Sequence, residues 1–378
     1  MYPRKNNQPY IWQYPQWPQL TFDHSAVINA LTTACSLHGE LMGLMKMVGF
    51  DSSMEACAEA MANDLTASSL IEGIELNADS VRSSIARRLD LPITTPSAES
   101  HYVEALVDVM FDAMSEPLQP LTHQRLKDWH TALFPGGYSG RYHITVGEYR
   151  QGEEPMRVVS GAFGHEHVHY QAPPSADVPA EMERFLQWFN STDLHPVLKA
   201  AVAHLWFVSI HPFDDGNGRI TRTISERCLA ALAPNQPRFY SLSAQINRRK
   251  SEYYAQLEAA QHGNCDITEW VLWFVNCFGE AQRFGIEAVN QTLRKAQYWV
   301  AFKHVTVNER QRKVLNRLWD NFEGVLTTSK WAKMCHCSQD TALRDITDLL
   351  EKGMLERAPS SARKAHYLLP TDFSPHWG

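Results

Sequence analysis

No run in this 378-residue chain approaches the 18 or so consecutive apolar residues of a membrane-spanning helix, and the charges of Met1 to Pro9 have no apolar stretch behind them. A membrane span and a secretory leader are therefore not expected, and a cytoplasmic protein is. Cysteine is sparse: Cys35, Cys57, Cys228, Cys265, Cys277, Cys335 and Cys337 are odd in number and scattered, unlike a disulfide scaffold, so reduced thiols are expected. Basic charge is not in excess, since 35 Lys+Arg against 42 Asp+Glu leave a net charge of -7. That balance excludes a whole-chain nucleic-acid coat or a polybasic membrane patch. There is no internal repeat, no low-complexity segment and no Gly-x-x-x-x-Gly-Lys-Ser/Thr string, so an ordinary P-loop nucleotide site is excluded as well.

What is present is a globular composition, with 44% hydrophobic residues and 19 Gly. The length suggests roughly two to three domains at about 150 residues each. Residues 10–23 are rich in aromatics and proline (Tyr10, Trp12, Tyr14, Pro15, Trp17, Pro18), which suits an extended arm clasping a core rather than a helix. Helical spacing begins behind an expected N-cap at Ser25 and continues from Met54 to Leu89, with expected breaks near Asn63 and Asn77.

Pro92 to Pro96 mark a soft boundary. Further helices are expected at 99–115, 122–134, 178–190, 194–209, 215–231, 246–262 and 266–300, with a short hairpin or flap within 138–174. The last 70 or so residues read as three short helices (Arg312 to Trp319, Leu326 to Met334, and Ser338 capping a third to Glu351) and a two-stranded wing ending at Tyr367-Leu368-Leu369. Such a pattern makes a winged helix. Three domains are expected: an N-terminal helical domain over 1–95, a core domain over 96–300 and a winged helix over 306–378.

The chemically informative string is His211-Pro212-Phe213-Asp214-Asp215-Gly216-Asn217-Gly218-Arg219-Ile220-Thr221-Arg222, lying between two helical patterns. Gly216 and Gly218 allow a turn whose N–H groups converge, and the helix starting there adds its positive dipole end, which makes an anion cradle. Arg219 and Arg222 share a helical face and can reach successive phosphates. Asp215 supplies a hard oxygen ligand for magnesium, Asn217 can donate to a phosphate oxygen, and His211 is placed to take a proton from an attacking hydroxyl. A calcium loop is excluded, because Gly216 and Gly218 occupy the alternate ligand positions and Arg222 follows. Phe213 is expected to anchor the loop in the core.

The twelve-residue string resembles the Fic-family motif His-x-Phe-x-Asp/Glu-Gly-Asn-Gly-Arg-x-x-Arg at every specified position. The resemblance covers about residues 99–290. Gly147-Glu148-Tyr149-Arg150, Val159-Ser160-Gly161 and Pro173-Pro174 look like the family's flap region, and Tyr253-Tyr254, Leu257 and Gln261 look like its adenine-side helix. The resemblance implies a mainly α fold, a helical core with a small β-hairpin flap, and transfer of AMP from ATP to a Tyr, Ser or Thr hydroxyl of a target protein. In that scheme His211 is the base and Asp215 holds Mg2+. Asn217 with the Gly216 and Gly218 amides holds the α-phosphate, Arg219 steadies pyrophosphate and Arg222 takes the γ-phosphate. Ser160 and Gly161 align a target segment by strand addition and, with Tyr253 and Gln261, complete the ATP site.

A second string, Ser68-Ser69-Leu70-Ile71-Glu72-Gly73, resembles the family's inhibitory motif Ser/Thr-x-x-x-Glu-Gly/Asn in the N-terminally inhibited class. By that resemblance Glu72 pairs with Arg222 and occupies the place of the γ-phosphate, with Ser68 and Gly73 completing the motif.

Other features read more plainly. His165, His167 and His169 alternate as metal ligands on a strand can, although flap contact with solvent or target is the stronger reading. His204 reads as a hydrogen-bonded core histidine, and Cys335-His336-Cys337 as a turn. Residues 308–378 hold 11 Lys/Arg against nine Asp/Glu, a small surplus for a DNA reader, so protein docking or homodimerisation competes with DNA contact through Ser338, Gln339, Thr341, Arg344, Arg363 and Lys364. Alternatives to AMP transfer are use of another nucleotide, removal of AMP, or a winged-helix DNA-binding regulator whose Fic site only senses nucleotide.

Overall fold

The computed structural model describes residues 9–48, 50–92, 100–161, 167–234, 236–319, 322, 324–358 and 366–373. The soft boundary after Pro92, His165, and the expected wing contacts Arg363 and Lys364 lie outside the described residues. The chain forms two compact units, Met1–Ile286 and Glu287–Gly378. It is mainly α, and no helix among the described residues is long and apolar enough to cross a membrane.

The first unit runs through α1 (His24–Met47), α2 (Phe50–Ile71), α3 (Ala78–Arg88), α4 (His101–Ser115) and α5 (His123–Leu133). Two antiparallel hairpins follow, β1 (Tyr138–Ser139) with β2 (Tyr142–His143) and β3 (Arg157–Ser160) with β4 (His167–Gln171). Then come α6 (Val178–Ser191), α7 (Pro196–Ile210), α8 (Asn217–Ala230), α9 (Leu242–Arg248), α10 (Lys250–Gln261) and α11 (Thr268–Ala301), whose C-terminal part belongs to the second unit.

The central helix is α7. Every residue from Val197 to Ile210 is buried except Lys199, as expected of a helix apolar all round. Two of its polar members are bonded inside the core: His204 meets Ser225 Oγ and Tyr253 Oη, both at 2.9 Å, and the carbonyl of Ser209 accepts from the Tyr170 hydroxyl at 2.8 Å. His204 is thus a hydrogen-bonded core histidine. The aromatic arm does clasp the core, opening with a 3-10 turn at Ile11–Gln13. Ile11 is fully buried, Trp12 Nε1 donates to Gln171 O at 2.7 Å and Trp17 Nε1 to Glu181 at 2.9 Å.

Local chemistry corrects three sequence expectations. Asp23, not Ser25, caps α1: the Asp23 side chain accepts from Ser25 N. Asn63 does not break α2, because it is exposed while Met61, Ala62 and Leu65 stay on the buried face. The expected helix over 246–262 is two helices, α9 and α10, separated at Arg249, whose φ −111° and ψ 32° leave the helical well. The break at Asn77 is present, with Asn77 capping α3.

The second unit contains α12 (Glu309–Trp319), α13 (Thr328–Cys335), α14 (Gln339–Glu351) and the hairpin of β5 (Glu356–Arg357) with β6 (Tyr367–Leu368). Ser338 caps α14 by accepting from Thr341 N, and α13 ends in a left-handed turn at His336, so Cys335 and Cys337 flank a turn. Val314, Leu315, Trp331, Ile346, Leu349 and Met354 form its fully buried core.

Candidate active site

The loop between α7 and α8 is shaped by a few residues. His211 caps α7 in the left-handed region (φ 52°), with its N–H still bonded to Phe207 O. Phe213 is fully buried and lies flat on the His130 ring, with centroids 4.2 Å apart and planes 7° apart. This anchors the loop, since burial of such a side chain contributes about 1.5–3 kcal/mol. Asn217 closes the loop on itself: its Oδ1 accepts from Phe213 N at 2.9 Å and its Nδ2 donates to Phe213 O at 2.8 Å. One of the two carboxamide N–H groups is therefore engaged within the loop. At Gly216, φ is +78° and a Cβ would come within 2.8 Å of Phe134, so both conformation and space require glycine.

The loop leads directly into the N-terminus of α8, whose first free N–H groups and dipole favour an anion. A Cβ on Gly218 would collide with the Glu72 carboxylate, so Glu72 lies over this helix end. Arg219 is buried, donates to the Tyr102 hydroxyl at 2.8 Å and stacks over Phe134, while its Nε has no partner among the described residues. Arg222 is engaged through Nε and NH2. Its Nε donates to Ser68 Oγ at 2.8 Å, and its NH2 donates to Ser68 O at 2.9 Å and to Glu72 Oε1 at 2.7 Å. Burial works against the Arg222 charge, but Glu72 outweighs it and holds the guanidinium pKa up.

Glu72 reaches this position because α2 ends just before it. Gly73, at φ +76°, and Ile74 return N–H groups to Leu70 O and Ser69 O, a left-handed helix stop. Farther back on α2, buried Asp64 pairs with Arg238 at 2.9 Å and accepts from Ser241 Oγ and Ser243 N, while Arg238 also pairs with Glu226 of α8. The helix carrying Glu72 is thus fastened to the core at two points.

His211 donates from Nδ1 to Val208 O at 3.2 Å, which leaves Nε2 as the basic atom. Desolvation lowers its pKa to about 4, so the imidazole is neutral at pH 7. Asp215 accepts from Ser139 Oγ and, at 2.5 Å, from Gly216 N. Its half-buried carboxylate keeps lone pairs for a hard cation, and one carboxylate is a sufficient protein contribution where substrate phosphates complete a magnesium shell.

Tyr253 is buried on α10 and held by His204, whereas Gln261 is buried and donates to Ser209 Oγ at 3.3 Å. Ser160 and Gly161 are exposed at the end of β3. The structure therefore brings Ser68, Glu72, Gly218 and Arg222 together. Ser160 instead contacts His169, at 2.6 Å.

Two residues that shape the site were not singled out from the sequence. Arg150, buried, donates from Nε to His211 O at 2.7 Å and from NH2 to Pro173 O and Ile210 O, and its N–H bonds Pro212 O, so it clamps the backbone on both sides of the base. His130 bridges Asp215 O and Gly147 N, at 3.2 and 3.0 Å. Burial lowers its pKa to about 4, keeping it neutral so that Nδ1 can accept from Gly147. Arg150 stood in a quoted flap string, but nothing local marks a buried arginine.

Residues 10–91 match a domain of unknown function, DUF4172, and residues 120–229 match the Fic/DOC family. Over 108 residues the chain is 36% identical to the protein adenylyltransferase Fic of Drosophila willistoni and equally to that of Drosophila melanogaster, a stretch covering 28% of this chain and 20% of each relative. The matched stretch is about a fifth of the length of these curated relatives. Among solved structures, a Fic family protein from Desulfovibrio desulfuricans G20 is similar with a TM-score of 0.54 and 21% identity, covering 93% of this chain and 97% of that one. A Fic domain containing signaling protein from Bacteroides thetaiotaomicron is similar with a TM-score of 0.50 and 19% identity, over 68% of this chain and 97% of that one. Both carry the same helical fold. The full string His211 to Arg222 lies at the α7–α8 junction inside residues 120–229, so this part of the chain is a Fic/DOC domain.

Proposed function

We propose that this chain is a protein adenylyltransferase that moves AMP from ATP to a hydroxyl side chain of a target protein, held in a low-activity state by Glu72. The observation that carries the reading is the anion cradle at the start of α8, where Glu72 occupies the space above Gly218 and pairs with Arg222 while Arg219 keeps an N–H unpartnered among the described residues. A triphosphate suits this arrangement, because successive phosphates can engage the helix end, Arg219 and, once Glu72 leaves, Arg222.

His211 Nε2 takes the proton of the target hydroxyl. The freed oxygen attacks the α-phosphorus, the bond from that phosphorus to the bridging oxygen breaks, and pyrophosphate leaves. The Gly216 and Gly218 backbone and Arg219 stabilise the charge on the phosphates. Asp215 would hold Mg2+, which supplies charge neutralisation on the triphosphate when bound. The outer edge of β3, unpaired among the described residues, would take the target segment by strand addition, with Ser160 and Gly161 at its end. Tyr253 and Gln261 would stand on the adenine side.

We assign the second unit a winged-helix role as a docking module. Its near balance of charge favours a protein surface, or a second copy, over DNA.

Transfer of label from α-labelled ATP to protein tests the reading. His211→Ala should still bind ATP but lose transfer by about 10²–10⁴-fold, the usual range for a general base. Wild-type transfer by His211→Ala would exclude His211 as the base, whereas nucleotide binding with no transfer by any variant would leave a sensor rather than an enzyme.

A further inference from the structure

His167 and His169 belong to the flap, yet they converge on a helix outside it. The β3–β4 pairing runs Val158 with Tyr170 and then Val159 with Val168, so His169 is the extra residue of a bulge. A bulge re-aims a side chain, and here it turns the His169 ring toward α10. His169 Nδ1 lies 2.9 Å from Glu258 Oε2, and His167 Nε2 lies 3.9 Å from Glu258 Oε1. One ligand atom from each of the three residues falls within 4.8 Å of the others. The two rings stand nearly perpendicular, with centroids 4.6 Å apart, so neither blocks the other's nitrogen.

The remaining nitrogen of His169 matters. Its Nε2 lies 2.6 Å from Ser160 Oγ. When that nitrogen carries the proton and Ser160 accepts it, Nδ1 presents a lone pair to a carboxylate oxygen at 2.9 Å. In that tautomer Nδ1 and the carboxylate both offer lone pairs to a cation, whereas in the empty site the other tautomer lets Nδ1–H donate to Glu258. A ligating histidine with its other N–H held by an oxygen is the usual outer arrangement of a metal site.

We propose that His167, His169 and Glu258 bind a divalent ion of the zinc class, fastening the β3–β4 hairpin to α10. Two imidazoles and one carboxylate match the three-ligand open sites of that ion, water filling the fourth position, and they suit a hard ion such as Mg2+ poorly. In a tetrahedral shell with bonds of about 2.0–2.1 Å, ligand atoms stand roughly 3.4 Å apart, so the widest pair must close by about 1.4 Å. His167, with 56% of its side chain exposed, is free to make that adjustment. The exposure also gives the ion a route in from solvent.

The inference concerns binding and stands apart from the transfer chemistry. Its test uses tag-free, chelator-treated full-length protein, with Asp215→Ala as the background so that the other candidate metal ligand is gone. Titration with Co2+ should give one equivalent of a visible absorption band, displaced by Zn2+. Added Zn2+ should slow amide exchange at His167–Gln171. His169→Ala, His167→Ala and the conservative Glu258→Gln should each weaken binding at least tenfold without lowering the melting temperature of the ion-free protein. Ser160→Ala should weaken it by about 10–100-fold, the range for an outer-shell partner. Absence of the band, or unchanged affinity in His169→Ala, would overturn the proposal and leave a hydrogen-bonded relay from the Ser160 hydroxyl through His169 to Glu258.

Discussion

Glu72 and Arg222 stand 150 residues apart in sequence and 2.7 Å apart in space. The arginine side chain is 3% exposed and the glutamate 33%, so the contact is neither an open surface pair nor a sealed one. An exposed pair contributes at most about 1 kcal/mol, and ATP would displace it at once. The two Ser68 bonds and the helix end beneath Gly218 make this one harder to displace. Glu72→Gly should therefore raise transfer and self-modification above wild type, with ATP affinity changed less than rate. Arg222→Ala should be inactive alone and in the double variant Glu72→Gly/Arg222→Ala. A double variant as active as Glu72→Gly would mean that loosening of α2, not release of Arg222, raises the rate.

The pH behaviour follows from buried histidines. Burial lowers His211 to about 4, so the acid limb of kcat/KM for Glu72→Gly should lie near pH 4. From pH 7.5 to 5.5 the rate should be nearly flat in this ionisation, whereas a base with the ordinary value of about 6.5 would lose roughly tenfold. Stability carries the opposite bookkeeping. His130 and His204 are likewise lowered by burial, so between about pH 6.5 and 4 the unfolded chain binds protons that the folded one refuses. Thermal stability should fall as pH drops through that window, and a melting temperature independent of pH there would contradict the burial of these rings.

The second unit gives a prediction that separates its two readings. If it docks protein, binding to duplex DNA should be absent even at low salt. If it reads DNA, affinity should fall steeply with salt and Arg344→Ala should weaken it, reducing the salt slope by about one where Arg344 meets a phosphate. Fluorescence anisotropy across a salt series distinguishes these outcomes.

The parts of the site legible in the sequence are those whose geometry is written locally. Gly216 needs an unusual backbone and Gly218 leaves room for the Glu72 carboxylate, Phe213 needs a core, and their spacing sets the turn into α8. Local signals also suffice for the Ser338 cap and the stop at Asn77. They mislead at Asn63, where a polar residue faces solvent and interrupts nothing, and at Arg249, where a helical pattern continues through a backbone break. The supports of the loop were not legible, because His130 and Arg150 act on backbone atoms 61 to 85 residues away. The Asp64, Arg238 and Glu226 cluster that seats α2 has the same character: each residue alone reads as a surface charge, and only the packed fold buries them together. The convergence of His169 with Glu258 depends on a bulge, which alternation of residues does not announce.

Arg150 offers the sharpest test of how the base is held. Its guanidinium donates to the carbonyls of His211, Pro173 and Ile210, and its own N–H to Pro212, so it fixes the main chain from which the imidazole projects. Charge-assisted bonds of this kind contribute about 1.5–3 kcal/mol each, and Arg150→Met should cost several kcal/mol of stability. Arg150→Lys should restore little, because one ammonium cannot span three carbonyls set around a planar fork. A scaffold role alone would end there. Arg150 also repels a proton on His211, adding to the burial that lowers that pKa. Removing the charge should therefore move the acid limb of kcat/KM upward from about pH 4, in addition to lowering the rate. In Arg150→Met assayed well below its melting temperature, a lowered rate with an unshifted acid limb would reduce Arg150 to packing, whereas a shifted limb would identify it as the residue that both positions the base and keeps it neutral.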